Sequence, residues 1–212
     1  MLLTAPDVES YYTAAVSSTG YAYDYWDLTA NPALPENYLK SYKAVVWFTG
    51  ASYPGPLLPY EDELAAFLDN GGRLFMSGMD ILDQSAGTTS FVYNYLHINW
   101  DGTEAQNDTG VMTVTAVITN PAVGGLGAYP MNYSVVGGSD YSDQITPIAP
   151  AIPAFVDDGG VTDALSVDTG TYRVIFLAWP FEAMGTAADR TAVMGRSLAY
   201  LLAQLYLPVI SR

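Results

Sequence analysis

The stretch Leu68-Asp69-Asn70-Gly71-Gly72-Arg73-Leu74-Phe75-Met76-Ser77-Gly78-Met79-Asp80-Ile81 holds a helix end, a glycine stop, a strand and a turn in succession. Upstream of it, Tyr60 to Asn70 places Leu64, Phe67 and Leu68 on one helical face, with Glu61, Asp62 and Asp69 elsewhere. Gly71-Gly72 ends that helix, because glycine adopts the left-handed conformation of a helix C-terminus without steric cost. Arg73 to Ser77 is apolar between its ends, as a strand buried on both faces requires. Gly78 then permits a sharp exit.

The same alternation extends outward. Ala44-Val45-Val46-Trp47-Phe48 is a second continuous apolar run, ending at Thr49-Gly50, and Tyr172 to Trp179 is a third, ended by Pro180. Val8 to about Ser18 predicts a helix capped by Asp7 and closed by Gly20. Tyr21 to Trp26 alternates aromatic with small or polar residues and predicts a strand. Pro35 to Tyr42 predicts a short helix, and Ala187 to Tyr206 the longest one. The expected strands are Met1–Thr4, Tyr21–Trp26, Ala44–Thr49, Arg73–Ser77 and Tyr172–Ala178. Strands alternating with helices imply a doubly wound, mostly parallel sheet with helices on both faces, a three-layer α/β/α domain. Residues 101–170 break the pattern. Gly110 to Ile118 predicts a strand, and Pro121 to Gly170 is rich in Gly, Pro, Asp and Ser. This segment is expected as a β- and loop-rich insertion within one domain spanning 1–212.

Composition bounds the function. The chain has 212 residues, 7 Lys+Arg against 22 Asp+Glu, a net charge of −15, no Cys and one His. The acidic excess argues against nucleic acid, which needs clustered Lys and Arg, and against anionic membrane surfaces. No apolar run reaches the ~20 residues of a membrane span. Absent Cys removes thiol nucleophiles, Cys metal sites and disulfides together. Many Tyr residues (17) with few basic ones suit a secreted bacterial protein, placing the chain outside the cell or on its surface. Met1-Leu2-Leu3-Thr4 has no leader character, so a secreted chain is expected to be a segment of a longer precursor or to have lost its leader.

Four segments in order carry a resemblance: Tyr11 to Asp27, Val45 to Gly50, Leu68 to Ile81, and Gly170 to Met184 followed by a helix. They resemble the class I glutamine-amidotransferase-like modules of secreted bacterial peptidases and surface proteins. Gly137-Gly138-Ser139-Asp140 through Pro147 is similar to the insertion of those modules, and Tyr206 to Ile210 to the closing segment of many such exoproteins. The resemblance implies a flavodoxin-like sandwich and brings no known activity with it. In true amidotransferases a Cys stands on the strand-to-helix turn that Met76–Asp80 matches, and a His-x-Glu follows a later strand. This chain keeps Glu182 after Trp179-Pro180-Phe181 and lacks both Cys and His there.

Candidate chemistry is correspondingly sparse. A Ser77 nucleophile would need a base, and only His97 is available, with Glu182 or Asp80 as the carboxylate. The competing expectation for His97 is a half-buried ring bonded to a backbone carbonyl. Carboxylates that could hold a structural Ca²⁺ are Asp80 with Asp83, Asp140 with Asp143, and Asp157 with Asp158, none at the spacing of an EF-hand loop. Trp26, Trp47, Trp100, Trp179, Tyr53, Tyr60, Tyr93 and Tyr95 could stack on sugars or a peptide. The rim outside the strand C-termini, where ligands of open α/β sheets bind, comprises Asp7, Thr49, Tyr53, Ser77, Asp80, Trp179 and Glu182. The favoured reading is a non-catalytic accessory or interaction module, peptidase-associated, contacting other domains of its polypeptide or an extracellular protein or glycan. A Ser77 hydrolase or degenerate amidotransferase-like enzyme and a carbohydrate-binding module are the alternatives. Glu182 is expected to be partly buried, to accept hydrogen bonds from the Ser77–Asp80 turn, and to lose about 1–3 kcal/mol of stability on Glu182→Gln. Arg73 is expected to snorkel or to pair with Asp69.

Overall fold

The computed structural model describes residues 8–53, 55–83, 88–100 and 109–203. The expected strand Met1–Thr4 and the rim residue Asp7 lie outside them.

Helix α1 (Glu9–Ser18) begins after Val8, with no side-chain cap among the described residues. β1 (Ala44–Phe48), α2 (Glu61–Asp69) and β2 (Arg73–Ser77) follow, on the apolar runs that predict them. A π-helical turn (Val92–Leu96) leads to a chain of strands: β3 (Thr113–Ala116), β4 (Ala128–Pro130), β5 (Ile152–Val156), β6 (Thr162–Asp168) and β7 (Arg173–Leu177). Helix α3 (Ala187–Leu202) closes the described chain, capped by Thr186 Oγ1, which accepts from the Asp189 N–H at 3.1 Å.

The seven strands form one sheet in the order β1-β2-β7-β6-β5-β3-β4. β1–β2 and β2–β7 are parallel; β7–β6, β6–β5, β5–β3 and β3–β4 are antiparallel. The far edge bends back toward the exit of β7. Met131 bridges Met184, the Asn132 N–H donates to Ala183 O at 2.6 Å, and the Gly185 N–H donates to Pro130 O at 2.9 Å.

This corrects the expected doubly wound, flavodoxin-like three-layer sheet: the sheet is mixed, mostly antiparallel and curled into a half-barrel. The physical reason lies between β2 and β7. A parallel crossover needs a dozen or more residues, usually a helix, whereas antiparallel neighbours can be joined by a short turn. β6 runs into β7 through Thr169–Tyr172, where the Thr169 N–H donates to Tyr172 O at 3.2 Å and the Gly170 N–H to Asp168 Oδ1 at 2.9 Å. Burial on both faces, which made β2 and β7 read as parallel-sheet strands, is equally what central strands of a mixed sheet need. Tyr21–Trp26 forms no ladder with the described residues, and Tyr21, Tyr23 and Tyr25 are nearly half exposed. The expected helix at Pro35–Tyr42 shortens to a 3₁₀ turn, Leu39–Ser41.

Two apolar clusters sandwich the sheet, split by the period of two along each strand. Phe75, Ile175 and Leu177 face one way, beneath Tyr12 and Val16 of α1 and Val193, Met194 and Leu198 of α3. Leu74, Met76, Val174 and Phe176 face the other way, beneath Leu64, Phe67 and Leu68 of α2. Arg73 does not reach Asp69. It donates to the carbonyls of Gly71 at 2.8 Å and Thr171 at 2.8 Å, while Arg173 pairs with Asp168 at 2.8 Å and donates to Tyr200 O at 2.7 Å.

The α2–β2 turn is tight enough to test this packing. A Cβ on Gly72 would stand 2.6 Å from both the Phe67 ring and the Phe67 carbonyl oxygen, and the carbonyl is fixed by the helix. Gly72→Ala is expected to cost about 1–3 kcal/mol in urea unfolding, on the scale of an overpacked core.

Candidate functional site

The C-terminal ends of β2 and β7 place Ser77 level with Leu177, and the chain leaving β7 brings Trp179, Phe181 and Glu182 over the end of β2. Ser77 has no solvent exposure. Its hydroxyl donates to Trp179 O at 2.9 Å and accepts from the Phe181 N–H at 2.9 Å, with the Tyr12 hydroxyl of α1 at 3.3 Å. Both its proton and a lone pair are engaged by backbone. Its backbone is ordinary strand, whereas among the described residues the non-glycine ones at positive φ are Asn37, Asp80 and His97. A strained nucleophile elbow at Ser77 is therefore absent.

Glu182 is also fully buried. Its partner is not the Ser77–Asp80 turn but Tyr12, whose hydroxyl donates to Oε2 at 2.5 Å. Oε1 has no hydrogen bond from another described residue; it lies beside Gly50, where a Cβ would come within 3.7 Å. Burial raises the Glu182 carboxyl to about 6, against the smaller opposing pull of Tyr12 and Arg190. Tyr12 is raised well above its usual range, first by burial and then by the Glu182 charge, so it remains a phenol donor.

His97 belongs to a different place. It caps the π-helical turn at φ 55° and lies 3.0 Å through Nε2 from the Tyr172 hydroxyl, not against a backbone carbonyl. Burial lowers its pKa. Tyr172 precedes β7 and is level with Gly72, at the strand ends opposite Ser77. Five residues separate the two ends, about 16 Å at ~3.3 Å per residue. The structure thus brings Ser77 and Glu182 together through Tyr12 and leaves His97 at the other end. Tyr12 was missed in the sequence: it reads there as one more apolar helix position, and only the fold shows its hydroxyl inside the core.

The remaining rim residues diverge. Thr49 is buried with Oγ1 unpartnered and packed hard on Gly78, where a Cβ would stand 1.9 Å from that oxygen. Trp47, Trp100 and Trp179 are buried core side chains, whereas Tyr53 and Tyr93 are exposed. Three carboxylates considered for a cation serve the loops instead. Asp140 accepts from the N–H groups of Gly110, Val111 and Ser142; Asp157 accepts from Val161; Asp158 accepts from Met112 and Thr113, which lowers its pKa. Asp143 differs. It is 1% exposed, both its oxygens are unpartnered, and burial followed by Asp83 and Asp80 raises it to about 9. Asp80, also buried and at φ 54°, is raised to about 7 by burial and then by Asp83. Among the described residues no three acidic or His side chains are grouped to hold a metal ion, and no helix is long and apolar enough to cross a membrane.

These shifts fix a pH dependence. A carboxylate raised in the folded chain binds its proton more tightly there than when unfolded. Its stabilising contribution is present below the ordinary pKa and is lost as pH rises through the folded value. For Glu182, between 4.5 and about 6, the loss is roughly 2 kcal/mol. Glu182→Gln is thus expected to raise stability by about 2 kcal/mol at pH 7.5 and to change little at pH 4, the reverse of the sequence expectation, read by urea unfolding at both pH values. Asp143→Asn is expected to do the same over a window extending to about pH 9. Tyr12→Phe removes the phenol that donates to Glu182 and is expected to cost about 1–3 kcal/mol.

No protein family profile matches the chain, and no curated protein matches it. Similar solved structures exist. A cytoplasmic protein of Salmonella typhimurium, STM3548, superposes with a TM-score of 0.64 at 14% identity, over 91% of this chain and 86% of that one. The mmIFT52 N-terminal domain gives a TM-score of 0.50 at 12% identity, over 82% and 83%. An exo-β-1,4-mannosidase, Op5Man5 of Opitutaceae bacterium strain TAV5, gives 0.48 at 16% identity, with only 27% of its own chain covered. The expected likeness to glutamine-amidotransferase-like modules is corrected by the mixed sheet itself. At such identities, what the first two structures share with this chain is its fold.

Proposed function

We propose that the chain is a non-catalytic accessory or interaction module of a secreted multi-domain protein. The observation that carries this reading is the condition of Ser77, whose hydroxyl is sealed from solvent and held between Trp179 O and the Phe181 N–H. A nucleophile has to meet its substrate and have a base in reach; His97 is bound to Tyr172 at the other end of the strands. Glu182 and Tyr12 likewise form a polar knot inside the core. The absence of Cys, the many tyrosines and the strong acidic balance support an extracellular setting without nucleic-acid partners. With Trp47, Trp100 and Trp179 inside, carbohydrate stacking at the rim would fall to Tyr53.

The reading is tested with a fluorophosphonate probe, which labels activated serines, and with a panel of activated esters. No labelling and no turnover are expected. Labelling abolished by Ser77→Ala would establish a hydrolase and overturn the reading. Glycan-array binding abolished by Tyr53→Ala would replace it with carbohydrate recognition.

A further inference from the structure

β1 stands at one end of the sheet, hydrogen-bonded to β2 alone among the described residues. The Thr49 N–H donates to Ser77 O. Because successive residues of a strand turn their N–H and C=O groups to opposite sides, Val46 and Phe48 direct theirs away from β2. No described residue pairs with them there. An edge strand is ordinarily blunted by charge or proline, and Ala44-Val45-Val46-Trp47-Phe48 has neither. A groove of about 780 Å³ is lined by all of β1 and by all of Tyr21–Trp26. No residue of β2 lines it, so it lies on the outer side of β1 and follows that strand for its length, about 16 Å at ~3.3 Å per residue. Val16 of α1 and Leu198 of α3 add apolar surface. The described lining carries the carboxylates Glu9, Asp24 and Asp27 against one cation, Lys43. Asp24 accepts through Oδ2 from the Tyr42 hydroxyl at 2.8 Å, and Asp27 through Oδ1 from the Thr29 N–H at 2.8 Å. The second oxygen of each is unbonded among the described residues. Tyr21, Tyr23 and Tyr25, nearly half exposed, supply ring faces that attract a cation.

We propose that this groove is a slot for an extended basic peptide of another protein, one in which apolar side chains alternate with Lys or Arg. Laid beside β1, such a peptide pairs the outward N–H and C=O groups of Val46 and Phe48, and main-chain hydrogen bonds of this kind supply the affinity of strand addition. The period of two sends its apolar side chains to one face and its basic ones to the other. Val16 and Leu198 receive the first; the carboxylates and the tyrosine rings receive the second. A second copy of this chain is a poor occupant. It carries the same net charge of −15, and its own β1 has the same Tyr21–Trp26 segment across the groove. A glycan has no backbone with which to continue the ladder. The inference rests on the reading of the chain as an interaction module and names its partner; it fails on peptide binding alone, whereas that reading fails on serine labelling.

The fluorescent peptide Leu-Lys-Leu-Lys-Leu-Lys-Leu, titrated into the full chain, tests the proposal by anisotropy and by amide hydrogen exchange. Saturable binding is expected, with the Val46 and Phe48 amides slowed about tenfold at saturation and Ile175 of the central strand β7 unchanged. Replacing each peptide Lys by Glu, or substituting Asp24→Asn/Asp27→Asn in the chain, is expected to weaken binding about tenfold. Methylating alternate backbone nitrogens of the peptide keeps its charge, and in one of the two registers it is expected to weaken binding about tenfold as well. Affinity unchanged by methylation in either register would leave charge alone as the cause and overturn the proposal. So would affinity unchanged by the Glu peptide or by the double variant. Val46 and Phe48 amides that are already slow in the free chain, or unaltered at saturation, would overturn it on the wild-type chain alone. Protection of these amides by cellohexaose in place of the peptide would assign the groove to a glycan and overturn it too.

Discussion

The hydroxyl of Ser77 clamps the exits of two neighbouring parallel strands, and the upper half of the molecule is organised around that clamp. By donating to Trp179 O and accepting from the Phe181 N–H, it fixes where the chain goes after β7. That path brings Glu182 under α1, where, among the described residues, Tyr12 is the one side chain that donates to its carboxylate. The same path carries Ala183 to Gly185 against the far edge of the sheet at Pro130 and Asn132. A single buried side chain thus couples the parallel end of the sheet to its curled antiparallel end. Backbone polar groups sealed from water must be paired, and here a serine does the pairing where strand geometry has run out.

The polar knot has an energetic character of its own. Glu182 is ionisable, fully buried and served by one phenol, with Arg190 engaged through carbonyl oxygens of Glu182 and Met184. Such a group specifies geometry more than it stabilises, since desolvating a carboxylate offsets most of what its hydrogen bond returns. Asp143 and Asp80 are buried in the same manner beyond the ends of the strands. Protonation relieves all three, so hydrogen ions act as ligands of the folded chain.

Local patterning was legible where the physics is local. The apolar runs 44–48 and 73–77, the glycine stop at Gly71-Gly72 and the amphipathic face of α2 all fall on the expected residues. Direction of pairing was not legible. A strand such as Arg73–Ser77 looks the same from its own sequence whether its neighbours are parallel or antiparallel, because burial of both faces sets its composition. Tyr21–Trp26 shows the complementary limit: alternation describes a strand's faces and says nothing about who supplies its ladder. At the site, Ser77 and Glu182 were singled out as candidate chemistry, and both are buried, Ser77 bonded to backbone and Glu182 to Tyr12. Tyr12 was invisible because its role depends on a contact spanning most of the chain. His97 was conspicuous only by being the single His.

The far edge of the sheet has a consequence for assembly. β4 is three residues long, ends in Pro130, and has the adjoining carbonyl of Pro130 and N–H of Asn132 already taken by Gly185 and Ala183. A proline without an N–H and a consumed carbonyl leave no template for another strand. Among the described strands, only β1 keeps an open side from which the sheet could extend. Fibre growth by stacking native sheets edge to edge needs two open ends per subunit, and a subunit with one can do no more than meet a single mate. The curl that draws Met131 to Met184 is therefore also a chain terminator for native-state polymerisation.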